Sequence, residues 1–337
     1  MRQQGLIVST GPHVHSGESV QKMNFTFIIA LLPAIGTGLY VFGVSALQVL
    51  VLAVVSAVAF EAGLQKLMGR EITLRDNSAI LTGILFALIL SPTVPWWAVL
   101  TGTFAGLLIG KHIYGGLGSN PFHPVLVGWA TIKLSYPSQL DMSISVPGVV
   151  KLEGLEALAQ DYAYFAEAYG IESWETIGAK MKLFLKLLWR WEYIPGMDEM
   201  VANIGGMSAI ALLIGALFLL WRHYISWHIP IGFLVPVFVF SAIFGNKEYL
   251  YPFVLIQLLG GGTLLAAFFV ATDPVTTPMT GHGMFVFGIL CGFITMVGIL
   301  WGSWIEPVWF AILVGNAFTP LIDKLFKPRP FGRVRSA

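Results

Sequence analysis

Apolar runs of membrane-spanning length alternate with short polar breaks along almost the whole chain. A helix needs about 20 mostly apolar residues to cross a bilayer. Ten stretches meet or approach that length: 23–43, 46–65, 78–92, 96–114, 120–137, 204–225, 229–245, 252–272, 284–302 and 306–324. The third and fifth are short and bounded by proline. Irregular backbone at membrane depth survives only where protein or a water-filled cavity satisfies it. These breaks are therefore expected to face the interior of a bundle. One hydrophilic stretch, 138–203, interrupts the series, and its acidic residues (Asp141, Glu153, Glu156 and Asp161 among them) predict an extramembrane insertion with short helices. Inside it, residues 180–191 alternate Lys and Arg with Leu, Phe and Trp, the pattern of a helix lying on the bilayer surface.

The apolar pattern also repeats. Ser78-Ala79-Ile80-Leu81-Thr82-Gly83 leads to Leu90-Ser91-Pro92-Thr93-Val94-Pro95 and ends in Leu126-Val127-Gly128-Trp129-Ala130. Gly261-Gly262-Thr263-Leu264-Leu265 leads to Ala271-Thr272-Asp273-Pro274-Val275-Thr276-Thr277-Pro278 and ends in Leu313-Val314-Gly315-Asn316-Ala317. Duplicated membrane units broken by proline carry their ligand site near the repeat interface. Five spans per half is an odd number, so the halves insert with opposite orientation. The predicted fold is an all-α polytopic membrane protein of ten helices in two inverted five-helix repeats. Its parts are an N-terminal arm (1–22), a first repeat (23–137), the insertion (138–203), a second repeat (204–324) and a basic tail (325–337).

Composition agrees. Of 337 residues, 56% are hydrophobic and 11% charged, against roughly 25% charged in a soluble domain. A net charge of +1 offers no footing for nucleic acid. The single cysteine, Cys291, lies in an apolar segment and reads as a packing residue. It excludes disulfides, paired-cysteine metal sites and cysteine-held iron–sulfur clusters within this chain. The first 22 residues lack the order of a cleavable signal, so the first apolar stretch is expected to remain as an anchor. With the N-terminus in the cytoplasm, the cytoplasmic ends of the spans hold twelve Lys and Arg residues, Lys66 and Lys111 included. The opposite ends hold two, Lys133 and Lys247. That bias predicts cytoplasmic N- and C-termini and an outer insertion. Trp96, Trp97, Trp301, Trp304 and Trp309 are expected to line one interface, with Trp221 and Trp227 at the other.

The candidate chemistry gathers at the breaks. Asp273 ends a long apolar span beside Thr272, Thr276 and Thr277. A carboxylate there either caps nearby backbone or marks a pocket. Gly115-Gly116-Leu117-Gly118-Ser119-Asn120-Pro121-Phe122-His123-Pro124 is either a tight turn or the rim of a pocket for a planar polar ligand, with Asn120 and His123 reading its edges. Glu61 and Lys66 near a helix end are expected to snorkel to water. His13 and His15 read as part of a surface arm. With no metal cluster, nucleophile set or Walker loop in the chain, a cofactor must supply any chemistry.

Gly11-Pro12-His13-Val14-His15-Ser16-Gly17, Asp76-Asn77-Ser78, Tyr114-Gly115-Gly116-Leu117-Gly118-Ser119-Asn120-Pro121-Phe122, Trp227-His228-Ile229-Pro230, Thr272-Asp273-Pro274-Val275-Thr276 and Pro320-Leu321-Ile322-Asp323 occur in this order. Together they resemble the D subunits of Rnf electron-transport complexes and, more distantly, the B subunit of the sodium-pumping NADH:quinone reductase. The resemblance covers essentially the whole chain. It implies a urea-transporter-like core and a flavin-bearing component of a bacterial or archaeal cytoplasmic-membrane complex that couples ferredoxin–NAD redox to Na+ or H+ movement. NAD and iron–sulfur sites would then lie on partner subunits, another of which carries flavin. The chain departs from the family motifs at two places. His123 stands where the family carries Asn. The family attaches FMN to the threonine of an [ST]-G-A-T motif, and the nearest stretch here, Thr176-Ile177-Gly178-Ala179-Lys180, ends in Lys180. The expectation is therefore a noncovalent riboflavin, FMN or quinone near Asn120, His123, Asp273, Thr276 and Thr277, and no covalent FMN at Thr176 or Lys180. The competing readings are a solute channel of the urea-transporter type without a redox role, and a structural component that has lost its flavin.

Overall fold

The computed structural model describes residues 18–137, 203–245, 250–302 and 306–327, with isolated helical positions between 181 and 188. The regular structure among them is helical throughout. The first group is α1 (Val20–Phe42), α2 (Val44–Leu67), α3 (Ser78–Ile89), α4 (Trp96–Leu107) and α5 (Pro124–Ser135). The second is α6 (Ala209–Trp221), α7 (His228–Phe244), α8 (Leu250–Leu259), α9 (Gly261–Leu265), α10 (Gly281–Trp301) and α11 (Pro307–Leu325). Two π-helical turns, Leu108–His112 after α4 and Ala266–Val270 after α9, widen the chain where it approaches the polar breaks.

Four helices, α1, α2, α10 and α11, are long and apolar enough to cross a membrane, and α3, α6 and α7 are shorter apolar helices. The chain is a polytopic membrane protein, and the regular structure of its described residues is helical. At 1.5 Å per residue, the 12 residues of α3 reach only about 18 Å, short of a hydrocarbon core about 30 Å thick. The helix stops where the Ser91–Val94 turn begins, and the free carbonyl of Leu90 is taken by the Ile204 amide at 2.9 Å. The expected stretch 252–272 is divided at Gly260 into α8, α9 and the second π-turn.

Small residues let the helices meet closely. In a membrane, association rests on packing and on close backbone approach rather than on hydrophobic driving force. A side-chain carbon at Gly215 would collide with the Ala30 carbonyl, which seats α6 on α1, and one at Gly128 would strike the Gly102 carbonyl, which seats α5 on α4. Gly288 and Gly292 do the same for α10 on α7. The two groups of helices meet where α1 packs on α6 and α5 on α11.

Three expectations are corrected. Glu61 is only 1% exposed and does not snorkel, whereas Lys66 does face outward. Lys111, counted among the cytoplasmic flanking charges, is likewise buried and ion-paired. Trp309 is fully buried and not part of an interfacial belt, while Trp96, Trp221, Trp227 and Trp301 are exposed. His13, His15, Trp304, Thr176, Lys180 and the basic tail beyond Lys327 lie outside the described residues, as does nearly all of the insertion.

Candidate functional site

The glycine turn and the Asp273 turn come together around one cavity. Asn24 and Phe27 of α1, Ser78 and Thr82 of α3, and Lys111 of the first π-turn form one wall. The glycine turn brings Asn120 and His123, and the end of the second π-turn brings Phe269 and Asp273. The space is about 600 Å3, including its open mouth. Gly115, Gly116 and Gly118 have φ of 124, 108 and 93°, a region closed to most side chains, so this turn forms because those positions are glycine. Pro124 then opens α5 at a position where its missing N–H is no loss.

Three of the five expected ligand residues meet there. Asn120 spends its amide N–H2 on the Phe122 carbonyl at 3.2 Å. Its Oδ1 is buried without a partner, and so is His123 Nδ1. Buried polar atoms are nearly always satisfied, so two orphans in residues lining one cavity fit a polar ligand. Asp273 is half-buried at the cavity wall. Thr276 and Thr277 are buried behind it and shape its turn: Thr276 Oγ1 donates to Asp273 Oδ2 at 3.0 Å and Thr277 Oγ1 to the Asp273 carbonyl at 2.9 Å. Thr319 of α11 donates in turn to the Thr276 carbonyl at 3.0 Å.

Beside the cavity lies a charge cluster that pattern reading missed. Glu61 Oε1 accepts from Lys111 Nζ at 2.8 Å and from Gln65 Nε2 at 2.8 Å, and Glu61 Oε2 lies 3.1 Å from His112 Nε2. Lys111 Nζ also donates to Ser78 Oγ at 2.9 Å, and Ser78 Oγ donates to Asp76 Oδ1 at 2.8 Å. The π-turn presents Lys111 and His112, adjacent in sequence, to the same carboxylate; such turns are frequent at functional sites. Glu61 shares a buried face of α2 with Ala53 and Ala57, at helical spacing of four. That spacing was the available signal that Glu61 points inward.

On the same side, α1 is capped by Ser19 and tied by Glu18, which accepts from Lys22 Nζ at 2.7 Å and from the Tyr224 hydroxyl at 2.5 Å. The Lys22 bond, then the Tyr224 bond, hold the Glu18 carboxyl below the usual carboxylate range.

The match to known proteins runs through all of these elements. The model of the NQR2, RnfD, RnfE family aligns with residues 7–332. The chain belongs to this family. Among curated members, it is 34% identical to the D subunit of the Na(+)-translocating ferredoxin:NAD(+) oxidoreductase complex of Acetobacterium woodii, over 98% of this chain and 97% of that protein. It is 34% identical to the D subunit of the proton-translocating ferredoxin:NAD(+) oxidoreductase complex of Clostridium ljungdahlii, over 97% and 96%. It is 33% identical to the D subunit of the ion-translocating oxidoreductase complex of Citrobacter koseri, over 96% and 98%. Family membership thus covers both the glycine turn and the Asp273 turn.

Proposed function

We propose that this chain is the flavin-holding D subunit of an ion-translocating ferredoxin:NAD+ oxidoreductase complex. Full-length similarity to relatives with that name supports the assignment to the complex. The observation that carries the flavin is the cavity where Asn120, His123 and Asp273 meet, with orphaned Asn120 Oδ1 and His123 Nδ1. An isoalloxazine ring offers both donors and acceptors along its edge, and Phe27 and Phe269 supply apolar walls. When bound, the flavin would supply one- and two-electron redox chemistry. The chain's own part is to bind and orient it: Asn120 and His123 hold its polar edge, and the Thr276–Asp273 bond fixes the carboxylate. Iron–sulfur and NAD chemistry, and a further flavin, belong on partner subunits.

The architecture we infer is an inverted pair of five-helix units in a cytoplasmic membrane, with both termini inside. Matched packing supports it. α1, α2, α3, α4 and α5 correspond to α6, α7, α9, α10 and α11. The pairs α2–α4, α4–α5 and α1–α3 have counterparts in α7–α10, α10–α11 and α6–α9. Contacts of α1 with α6 and of α5 with α11, each a helix with its proposed counterpart, are what a two-fold repeat would give.

The test is flavin content in the purified complex. Asn120→Leu should lower it while the complex still assembles, and Asp273→Asn should do so too. A denaturing gel under ultraviolet light should show no fluorescent band at the mass of this chain, because the flavin is held without a covalent bond. Full flavin occupancy in both variants, with an unchanged electron-transfer rate, would reject the cavity; a band lost in Thr176→Ala would reject noncovalent binding. Solute flux through the purified chain in vesicles, without bound flavin, would favour the channel reading.

A further inference from the structure

Lys111 lines the cavity, while Glu61 and His112 line a second recess. That recess opens beside the glycine turn, where Gly115, Gly116 and Leu117 form part of its wall, and encloses about 910 Å3 including its mouth. Leu117 lines both spaces. The three titratable side chains therefore bridge two separate volumes. Each is almost completely buried, between 1% and 2% exposed. Burying charges of this kind is expensive and is retained in membrane segments at sites that move ions or protons. His112 Nδ1 is buried without a hydrogen-bond partner, so the imidazole makes one bond, to Glu61, and its second nitrogen is left unsatisfied in a residue that lines the recess.

We propose that His112, Glu61 and Lys111 form a proton relay from the recess to the cavity ligand. It rests on the reading of the cavity as a site for a two-electron acceptor of the flavin or quinone class. Electrons reach that acceptor from the redox partners of the complex. As it is reduced, the N–H bond at Lys111 Nζ breaks and an N–H or O–H bond forms on the acceptor. Neutral Nζ regains a proton through Glu61 Oε1, 2.8 Å away. Glu61, ionised at the outset, takes that proton on Oε2 from His112 Nε2–H at 3.1 Å and passes it on by turning over its carboxyl, and His112 is reprotonated at Nδ1 by hydronium that enters from the recess. Ser78 Oγ, bonded to both Lys111 and Asp76, keeps Nζ in place through the cycle.

The surroundings suit entry from one side. Glu71 and Asp76 line the recess and gather protons at its mouth, and Arg70 is fixed by donating to the His112 carbonyl at 3.3 Å. Gln65 holds Glu61 from one turn along α2. On the cavity side the facing groups are His123 and Asp273.

The measurement is proton uptake by the detergent-purified complex after chemical reduction, read with a pH-indicator dye, with flavin content measured in parallel. His112→Ala should slow uptake about 100-fold, the low end of what a positioned proton carrier contributes, with flavin content unchanged. Added imidazole should restore the rate, because the vacated recess wall admits it. Uptake at the parent rate in His112→Ala overturns the relay. Slow uptake that imidazole does not restore also overturns it, by showing a structural effect only. Should His112→Ala fail to assemble, His112→Gln keeps the volume and reads the same slowing. The two ideas fail separately: the cavity reading fails if Asn120→Leu keeps its flavin, and the relay fails on the uptake trace.

Discussion

Glu61 and Lys111 show how a single residue can be misread in one dimension. Fifty positions separate them, yet their side chains meet at 2.8 Å with almost no exposure. Removing one partner leaves the other charge buried without its ion pair, which destabilises a protein by about 3–5 kcal/mol. Glu61→Gln and Lys111→Met should each lower the denaturation midpoint of the purified protein to that extent. The double variant should recover most of the loss, because it buries no unpaired charge. Additive losses in the double variant would mean that the two residues act independently. Asn120 and His123 were legible from sequence because glycines and prolines around them announce an irregular turn. Asp273 was legible because a carboxylate at the end of an apolar span is conspicuous. Thr276 and Thr277 stand on the Asp273 turn, and their hydroxyls are committed to Asp273.

At the scale of elements, the apolar runs located the helices, the breaks shortened several of them, and glycine set how closely they pair. Where two backbones touch, any side chain must push them apart. Gly215→Val should separate α6 from the Ala30 carbonyl of α1 and abolish folded material on size-exclusion chromatography. Gly36→Ala, on the same α1 but with open space around it, should be neutral or slightly stabilising, by up to about 1 kcal/mol. Equal behaviour of the two variants would remove close approach as the basis of the α1–α6 pair. The breaks matter as much as the helices. The short α3, the two π-turns and the Asp273 turn leave backbone and side chains turned toward one cavity instead of lipid.

For the whole molecule, the distribution of Lys and Arg sets the expected orientation, even with Lys111 withdrawn from the count. Reporter fusions at Arg335 and within residues 150–175 should therefore report opposite sides of the membrane. The same side for both would overturn the inverted ten-span arrangement. The cavity takes its walls from both groups of helices: α1, α3 and the glycine turn come from the first, Phe269 and Asp273 from the second. The cavity therefore depends on both groups of helices.

Sequence by itself determined the membrane class, the family motifs and the two turns that carry Asn120, His123 and Asp273. These are local or periodic properties: apolar length decides what lipid accepts, and glycine and proline decide where a helix must stop. Only the tertiary structure decided which charges are buried, that Lys111 answers Glu61, that Trp309 packs inside and that a recess lies behind the cavity. Those outcomes depend on how one helix is rotated and seated against another, and side-chain contacts across that interface set the rotation. No window of sequence contains both sides of it.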